Sequence, residues 1–237
     1  LSAALSVTEK AVALLAVTLL FCPRGPSLAV RDRLRLARTR LRGPVLATVA
    51  GSLLAFNALA LDPGALPVGG QVSAGQASIR AAGAAMVIDQ GSARAAIDWQ
   101  GFNIGSGASV TFNQPGASAV ALNRVLGQDA SQIMGRLSSS GQVFLLNPNG
   151  VLFGNSAQVS VGGLVASTLG LSNEDFLAGK HRLGGASTAA VINQGRITAA
   201  EGGYVALLGA QARNEGVLEA RLGSVALAAG SDVTLNL

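Results

Sequence analysis

From residue 61 onward, the chain alternates short apolar runs with Gly, Asn, Ser and Asp. Examples of the apolar runs are Val143–Leu146, Val151–Phe153 and Val205–Leu207. No segment of helix length spaces its apolar residues by about 3.6 positions, as an amphipathic helix would. Short apolar runs between turn residues are instead typical of β-strands. We therefore predict that this part of the chain consists of strands and turns.

A repeat of about 20 residues appears near the C-terminal end. The segment INQGRITAAEGGYVALLGA, residues 192–210, aligns with RNEGVLEARLGSVALAAG, residues 213–230. Asn193 recurs as Asn214, and Val205 recurs as Val225. Self-similarity at this period is typical of a solenoid. The alternative, an antiparallel sandwich, would not require it.

A parallel β-helix explains both the repeat and the residue types. Inward-facing Val, Leu, Ile and Ala stack from one coil to the next, while Asn and Gly suit the tight corners. At about 20 residues per coil, residues 61–237 have room for roughly eight coils, less a cap. Residues 66–140 repeat poorly, and we expect the N-terminal cap to come from this part.

Charge is concentrated at the N-terminus. The chain has a formal net charge of +5. Residues 1–60 hold 8 basic and 2 acidic side chains, a difference of +6, and the remainder holds 9 basic and 10 acidic ones, a difference of −1. A near-neutral body argues against a basic surface for nucleic acid.

The N-terminal residues have the pattern of a secretory signal peptide. A basic block, residues 31–43, precedes an apolar stretch, residues 45–60, that ends in Ala58-Leu59-Ala60. The stretch is short for a membrane anchor, which needs ~20 residues. A second apolar run at 11–21 indicates either an extended signal peptide or upstream sequence. We predict a leader over 1–60, with cleavage near Ala60, and one domain over 61–237.

Residues suited to catalysis or metal binding are scarce in the predicted domain. The one cysteine, Cys22, lies in the leader, and the one histidine is His181. Without a second histidine or a cysteine, neither a zinc site nor a Ser-His-Asp triad is expected. The acidic stretch at 173–175 is interpreted as a solvated loop because it lacks the ligand spacing of a calcium site. We predict no enzyme activity, no cofactor and no metal.

Several long segments, in order, carry a family resemblance. They are LPVGGQVSAGQASI (66–79), IDWQGFNIGSGASVTFNQPGASAVALNRVLG (97–127), SQIMGRLSSSGQVFLLNPNGVLFGNSAQVSVGGLVAST (131–168) and the final coils. Together they resemble the N-terminal secretion domain of two-partner-secretion exoproteins, also called the filamentous-haemagglutinin-type or haemagglutination activity domain. The resemblance covers about residues 66–237.

This resemblance implies a fold, a route and a partner. The implied fold is all-β: a right-handed, single-stranded parallel β-helix with an N-terminal cap and extra-helical strands. The implied route is Sec export, passage through the periplasm of a Gram-negative bacterium, and secretion or display at the outer-membrane surface. The implied partner is an outer-membrane transporter with periplasmic POTRA domains.

The resemblance also implies a non-catalytic function. The domain targets an exported haemagglutinin- or adhesin-like virulence protein for secretion and nucleates its β-helix, and a downstream passenger contacts the host cell. Two alternatives stay open at this point. The β-helix itself binds a host glycan or protein, or it is a polysaccharide-active enzyme, for which the scattered charges give little support.

The family's NPNG-type motif falls on Asn147, Pro148, Asn149 and Gly150. These residues form either a structural corner turn or a surface that the transporter contacts. A second family motif, of the NPNL type, has no clear match near 112–115 or 122–125. Trp99, Phe102 and Phe112 form either the core of the cap or a docking patch for an extended peptide. Asn123 and Arg124 form either a buried polar staple or a surface contact.

Overall fold

The computed structural model describes residues 6–9 and 61–236. Apart from the backbone of residues 6–9, the predicted leader, with its basic block and cleavage site, lies outside the described residues. Within the described part of the chain, no helix has the length and hydrophobicity of a membrane span.

The described elements are short strands and one short helix. In chain order they are β1 (Ser6–Glu9), β2 (Gln71–Ala74), β3 (Ala77–Ala82), β4 (Ala85–Gln90), β5 (Arg94–Trp99), β6 (Ser109–Asn113), β7 (Val120–Val125), β8 (Ser131–Ile133), β9 (Arg136–Ser139), β10 (Gln142–Leu146), β11 (Val151–Phe153), β12 (Gln158–Val161), β13 (Gly163–Ser167), α1 (Asn173–Leu177), β14 (His181–Gly184), β15 (Ala190–Asn193), β16 (Arg196–Ala199), β17 (Tyr204–Gly209), β18 (Gln211–Asn214), β19 (Val217–Ala220), β20 (Ser224–Ala229) and β21 (Asp232–Asn236).

Three parallel sheets run along the molecule, as a β-helix requires. One sheet has the order β2-β5-β7-β10-β13-β17-β20, a second has the order β3-β4-β6-β9-β12-β16-β19, and a shorter third has the order β8-β11-β15-β18. Each coil contributes one strand to each long sheet, and corresponding residues stack in register, for example Val143 on Leu164 and Leu164 on Val205. The predicted fold class, a parallel β-helix, is confirmed.

The N-terminal cap is formed by the first strand of each long sheet. Strand β2 pairs antiparallel with β5, and β3 pairs antiparallel with β4. Parallel pairing begins directly afterwards, where β4 meets β6 and β5 meets β7. The cap is therefore shorter than the segment 66–140 from which we expected it. Residues 85–139 already form coils, although their corner residues differ from those of the later repeat.

A separate layer of chain covers the outside of the β2–β20 sheet. The chain leaves the coils after β13, forms α1 and β14, and returns at β15. Strand β21 pairs antiparallel with β14 and also with β1. We call residues 168–189 and 231–236 the outer layer. It provides the extra-helical strands that the resemblance implied.

The apolar residues form two separate cores. The first fills the interior of the coils and includes Ile97, Phe112, Leu145 and Leu207. The second lies between the β2–β20 sheet and the outer layer and includes Phe144 and Phe176. The middle strands of this sheet, such as β13 and β17, are therefore buried on both faces. Candidate site residues that point outward from the sheet meet the outer layer.

Candidate functional site

The Asn-Pro-Asn-Gly stretch forms the corner between β10 and β11. The Gly150 amide donates to the Asn147 carbonyl at 3.1 Å, which closes a four-residue β-turn. Gly150 has a φ of 114°. Apart from glycines, Leu222 is the only residue with a positive φ in the described part of the chain. Asn149 therefore has a negative φ, which excludes a type II or type I′ turn and agrees with the type I turn expected at such a corner.

Asn147 is a buried structural member of this turn. Its side-chain oxygen accepts from the Asn149 amide at 2.9 Å, and its side-chain nitrogen donates to the Asp129 carbonyl and the Ser131 hydroxyl, both at 2.9 Å. Its own amide donates to the Ser167 carbonyl at 2.9 Å. Asn147 thus connects its coil to the coil before and the coil after it, and an unpaired amide in this buried position would be costly.

Pro148 and Asn149 form the exposed part of the turn. The Asn149 side chain donates to the Gly127 carbonyl at 2.8 Å, while the Pro148 carbonyl accepts from the Ser187 hydroxyl at 2.6 Å. These bonds hold the tip against the preceding coil and against the end of the outer layer. The tip is consequently an ordered surface feature, with the Pro148 ring presented outward.

The three predicted aromatic residues lie inside the coils. Trp99, Phe102 and Phe112 are each 1% exposed. Trp99 and Phe102 meet edge to face, with ring centroids 5.4 Å apart, an arrangement that favours aromatic pairs. All three belong to the interior core, so their rings do not form part of the surface of the described fold.

Asn123 and Arg124 are neighbours in β7 that point to opposite faces. Asn123 is completely buried in the interior, where it accepts from the Trp99 indole nitrogen at 3.0 Å and donates to the Ala121 and Phe144 carbonyls at 3.3 Å. It therefore gives the buried indole N–H a partner. Period-two alternation along a strand explains why the next residue, Arg124, points outward.

Arg124 fastens the outer layer to the sheet. Its guanidinium pairs with Asp98 at 2.7 Å and donates to the Leu171 carbonyl at 3.2 Å and to the Asn173 side chain at 3.1 Å. One planar guanidinium can satisfy several acceptors in this way. Arg124 consequently links two strands of the sheet to the segment that leads into α1.

Two further residues join the layers. Arg94 was not singled out from the sequence, and His181 was assigned to a polar loop. Arg94 donates to the Phe176 carbonyl at 3.1 Å, and its guanidinium lies 5.6 Å from the centroid of the Phe176 ring. His181 packs edge-on against Phe144, with 5.4 Å between ring centroids, and its buried Nε2 has no hydrogen-bond partner among the described residues. Burial, followed by the charge of Arg94, lowers the pKa of His181.

The acidic stretch 173–175 is the first turn of α1 rather than a loop. The Ser172 hydroxyl accepts from the Asp175 amide at 3.1 Å, which caps the helix. The Ser-x-x-Asp spacing resembles a capping box and was the available sequence signal. Among the described residues, no three His, Cys, Asp or Glu side chains come close enough together to hold a metal ion.

Comparison with known proteins gives a consistent result. The family model described as "TPS secretion domain" matches residues 64–237. A heme/hemopexin-binding protein of Haemophilus influenzae is 39% identical over 182 residues, which are 73% of this chain and 20% of that protein. Another protein of the same name and species is 52% identical over 83 residues, 35% of this chain and 9% of that one.

A solved structure also shares the fold. The crystal structure of the HMW1 secretion domain from Haemophilus influenzae is similar to this chain, with a TM-score of 0.67 and 36% sequence identity. The match covers 71% of this chain and 46% of that one.

The matched segment includes the cap, the coils, the corner turn at 147–150 and the outer layer. The chain spans about a fifth, or less, of the length of the curated relatives that it matches. It belongs to the TPS secretion domain family, and it is a secretion-targeting β-helix domain of a two-partner-secretion exoprotein.

Proposed function

We propose that this domain is recognised by a partner outer-membrane transporter through periplasmic POTRA domains and then nucleates the β-helix of a longer exported protein. The family match over residues 64–237 is the observation that carries this proposal. The exported protein is adhesin-like and reaches the cell surface or the medium, where a passenger contacts the host cell. The domain itself is not an enzyme and needs no cofactor.

We further propose a route to the periplasm. The basic block at 31–43 and the apolar stretch at 45–60 direct Sec export, and cleavage follows near Ala60. The unfolded chain then offers free backbone groups that POTRA domains pair with by strand addition. Outside the cell, each coil provides a template for the next, so folding favours outward movement.

Within the corner turn, we assign different roles to its residues. Asn147 is buried and has its hydrogen bonds within the domain, so its role is structural. Pro148 and Asn149 are exposed, so they are the side chains that a transporter can contact. Folding and recognition then depend on adjacent residues of one turn.

The experiment is a secretion assay in a Gram-negative host, with and without the transporter encoded beside the gene. Asn147→Ala, Asn149→Ala and the control Asn155→Ala are compared, because Asn155 is also an exposed corner asparagine. We expect transporter-dependent secretion of the parent, loss of secretion for the two variants in 147–150, and normal secretion of Asn155→Ala. Parent protein that stays in the periplasm when its transporter is present would overturn the proposal.

Thermal unfolding of the same variants separates the two roles. We expect Asn147→Ala to lower the free energy of unfolding by about 1–3 kcal/mol, because buried partners lose their hydrogen bonds. Asn149→Ala loses two side-chain bonds, to the Gly127 carbonyl and, at 3.3 Å, to the Asn147 side-chain oxygen, but buries no unpaired group and should be destabilised less. If Asn149 is contacted by the transporter, its variant should lose secretion although it keeps most of its stability. A secretion defect that simply follows stability across both variants would remove the recognition role from Asn149.

A further inference from the structure

The outer face of the β3–β19 sheet carries a groove whose lining includes none of the residues of the corner turn at 147–150. The groove has a volume of about 910 Å³ and crosses β6, β9, β12, β16 and β19. The sheet face forms its floor, and the row of corners that precede β12, β16 and β19 forms one side. We call it the polar groove. It runs across the strands, along the axis of the β-helix.

Two adjacent rows of side chains form the floor of the polar groove. Arg136, Gln158 and Arg196 lie in register on neighbouring strands and form the first row. Ser138, Ser160 and Thr198 lie in register in the second row. The floor therefore combines cationic, amide and hydroxyl groups, all of them hydrogen-bond donors.

The residues that line the groove carry a net positive charge, whereas the body as a whole is close to neutral; Glu219 and Glu215 lie just outside the lining, beside Arg196 and Gln194. Among the described residues, no Asp or Glu lines the groove. Arg136 has no ion-pair partner in the described part of the chain, and Arg196 lies 3.6 Å from Glu219, with side chains that are 60% and 44% exposed. Such an exposed pair is weak, so both guanidinium groups are available to a ligand.

The spacing of the two arginines selects a ligand with a long charge repeat. Arg136 and Arg196 are two strands apart, which corresponds to roughly 10 Å at the usual strand spacing. One pyranose lengthens a linear glycan by about one strand spacing, so groups on alternate sugars repeat at the distance between the arginines. Nucleic acids carry their charges much closer together and would leave most of them unpaired.

We propose that the polar groove binds a linear polysaccharide with a carboxylate on alternate sugars. Arg136 and Arg196 each pair with a carboxylate, a geometry that guanidinium groups favour. Gln158 and the Ser/Thr row donate to the hydroxyls of the sugars in between. The groove offers no aromatic ring among its described lining residues, so binding is ionic and polar and weakens with salt.

The test is a binding titration of the purified chain with oligosaccharides of alternating glucuronate, long enough to cross the groove. We expect Arg136→Gln and Arg196→Gln each to weaken binding by roughly tenfold. Gln158→Glu places a carboxylate between the two arginines and should weaken binding to a similar degree. Arg221→Gln, which changes an exposed arginine outside the groove, should leave binding unchanged.

Matched ligands make the test specific. The same oligosaccharides with reduced carboxyl groups should not bind, and poly-glutamate should bind much more weakly. The proposal is overturned if the parent chain does not bind, if either control ligand binds as well as the glucuronate oligosaccharide, or if Arg221→Gln weakens binding as much as the groove variants do. Since no transporter is involved, the result is independent of the secretion assay.

Discussion

The two long sheets belong to the same coils but have different outer environments. In the β2–β20 sheet, every residue of β13 and β17 is buried. In the β3–β19 sheet, β12 alternates between exposed and buried residues. The difference lies in the outer layer, which covers the middle strands of the first sheet and leaves the outer face of the second sheet open.

This difference explains two sequence patterns within one fold. Strands buried on both faces have continuous apolar runs, such as Val143–Leu146, whereas a sheet with one open face alternates apolar and polar residues. The interior core stabilises both sheets, but only the first sheet gains a second core. The outer layer is therefore held in position by packing against the surface of the β-helix.

The largest expected effect comes from removing the second core beneath the outer layer. Phe144 is completely buried and contacts both Phe176 and His181. Phe144→Ala should lower the free energy of unfolding by about 3–5 kcal/mol, because it leaves a cavity between the two layers. Chemical denaturation of the purified chain measures this change.

The matched substitution on the open sheet is Ser160→Ala. Ser160 points outward from β12 and is exposed, so we expect a change within about 0.5 kcal/mol. Similar losses from the two substitutions would mean that the outer layer does not stabilise the first sheet as its burial indicates.

The β-helix could be predicted from the sequence more fully than the outer layer could. The repeat at 192–230 is local, so corresponding strands and corners could be recognised from their spacing. The outer layer depends on distant partners instead: Arg94 and Phe176 are 82 positions apart. A continuous apolar run such as Val143–Leu146 indicates a doubly buried strand, but it does not say which segment covers it.

The candidate site shows the same limit. The turn at 147–150 could be located from Asn, Pro and Gly, since these residues favour turns for local reasons. The sequence left open whether Asn123 and Arg124 were buried or exposed, because alternation alone does not tell which face of β7 is the interior one. The role of the turn in transporter recognition stays a prediction.

A smaller effect is expected from breaking the polar connection between the layers. Arg124→Met removes the pair with Asp98 and the donors to Leu171 and Asn173, while it keeps much of the aliphatic stem. We expect a loss of about 2–3 kcal/mol, since hydrogen bonds to a charged group are lost and Asp98 keeps no partner for its charge. Denaturation measures stability, and hydrogen exchange in residues 171–184 measures opening of the outer layer.

Combining Arg124→Met with Asp98→Asn tests the cause. Neutralising Asp98 removes the unpaired charge, so the double variant should be less destabilised than the sum of the two single variants. Additive losses would show that the pair contributes little and that Arg124 acts mainly through its carbonyl contacts.

The smallest expected effect is a pH dependence from His181, the one histidine of the chain. Burial lowers its pKa in the folded state below the ordinary value of 6.5, so the folded chain binds fewer protons than the unfolded chain in that range. Stability should therefore decrease as pH falls below about 6.5 and stop decreasing below the folded pKa. His181→Gln should reduce this dependence, whereas substitution on the open sheet, as in Ser160→Ala, should leave it unchanged. A single imidazole signal in NMR gives the folded pKa directly, and a value at or above 6.5 would contradict the burial of His181 between the two layers.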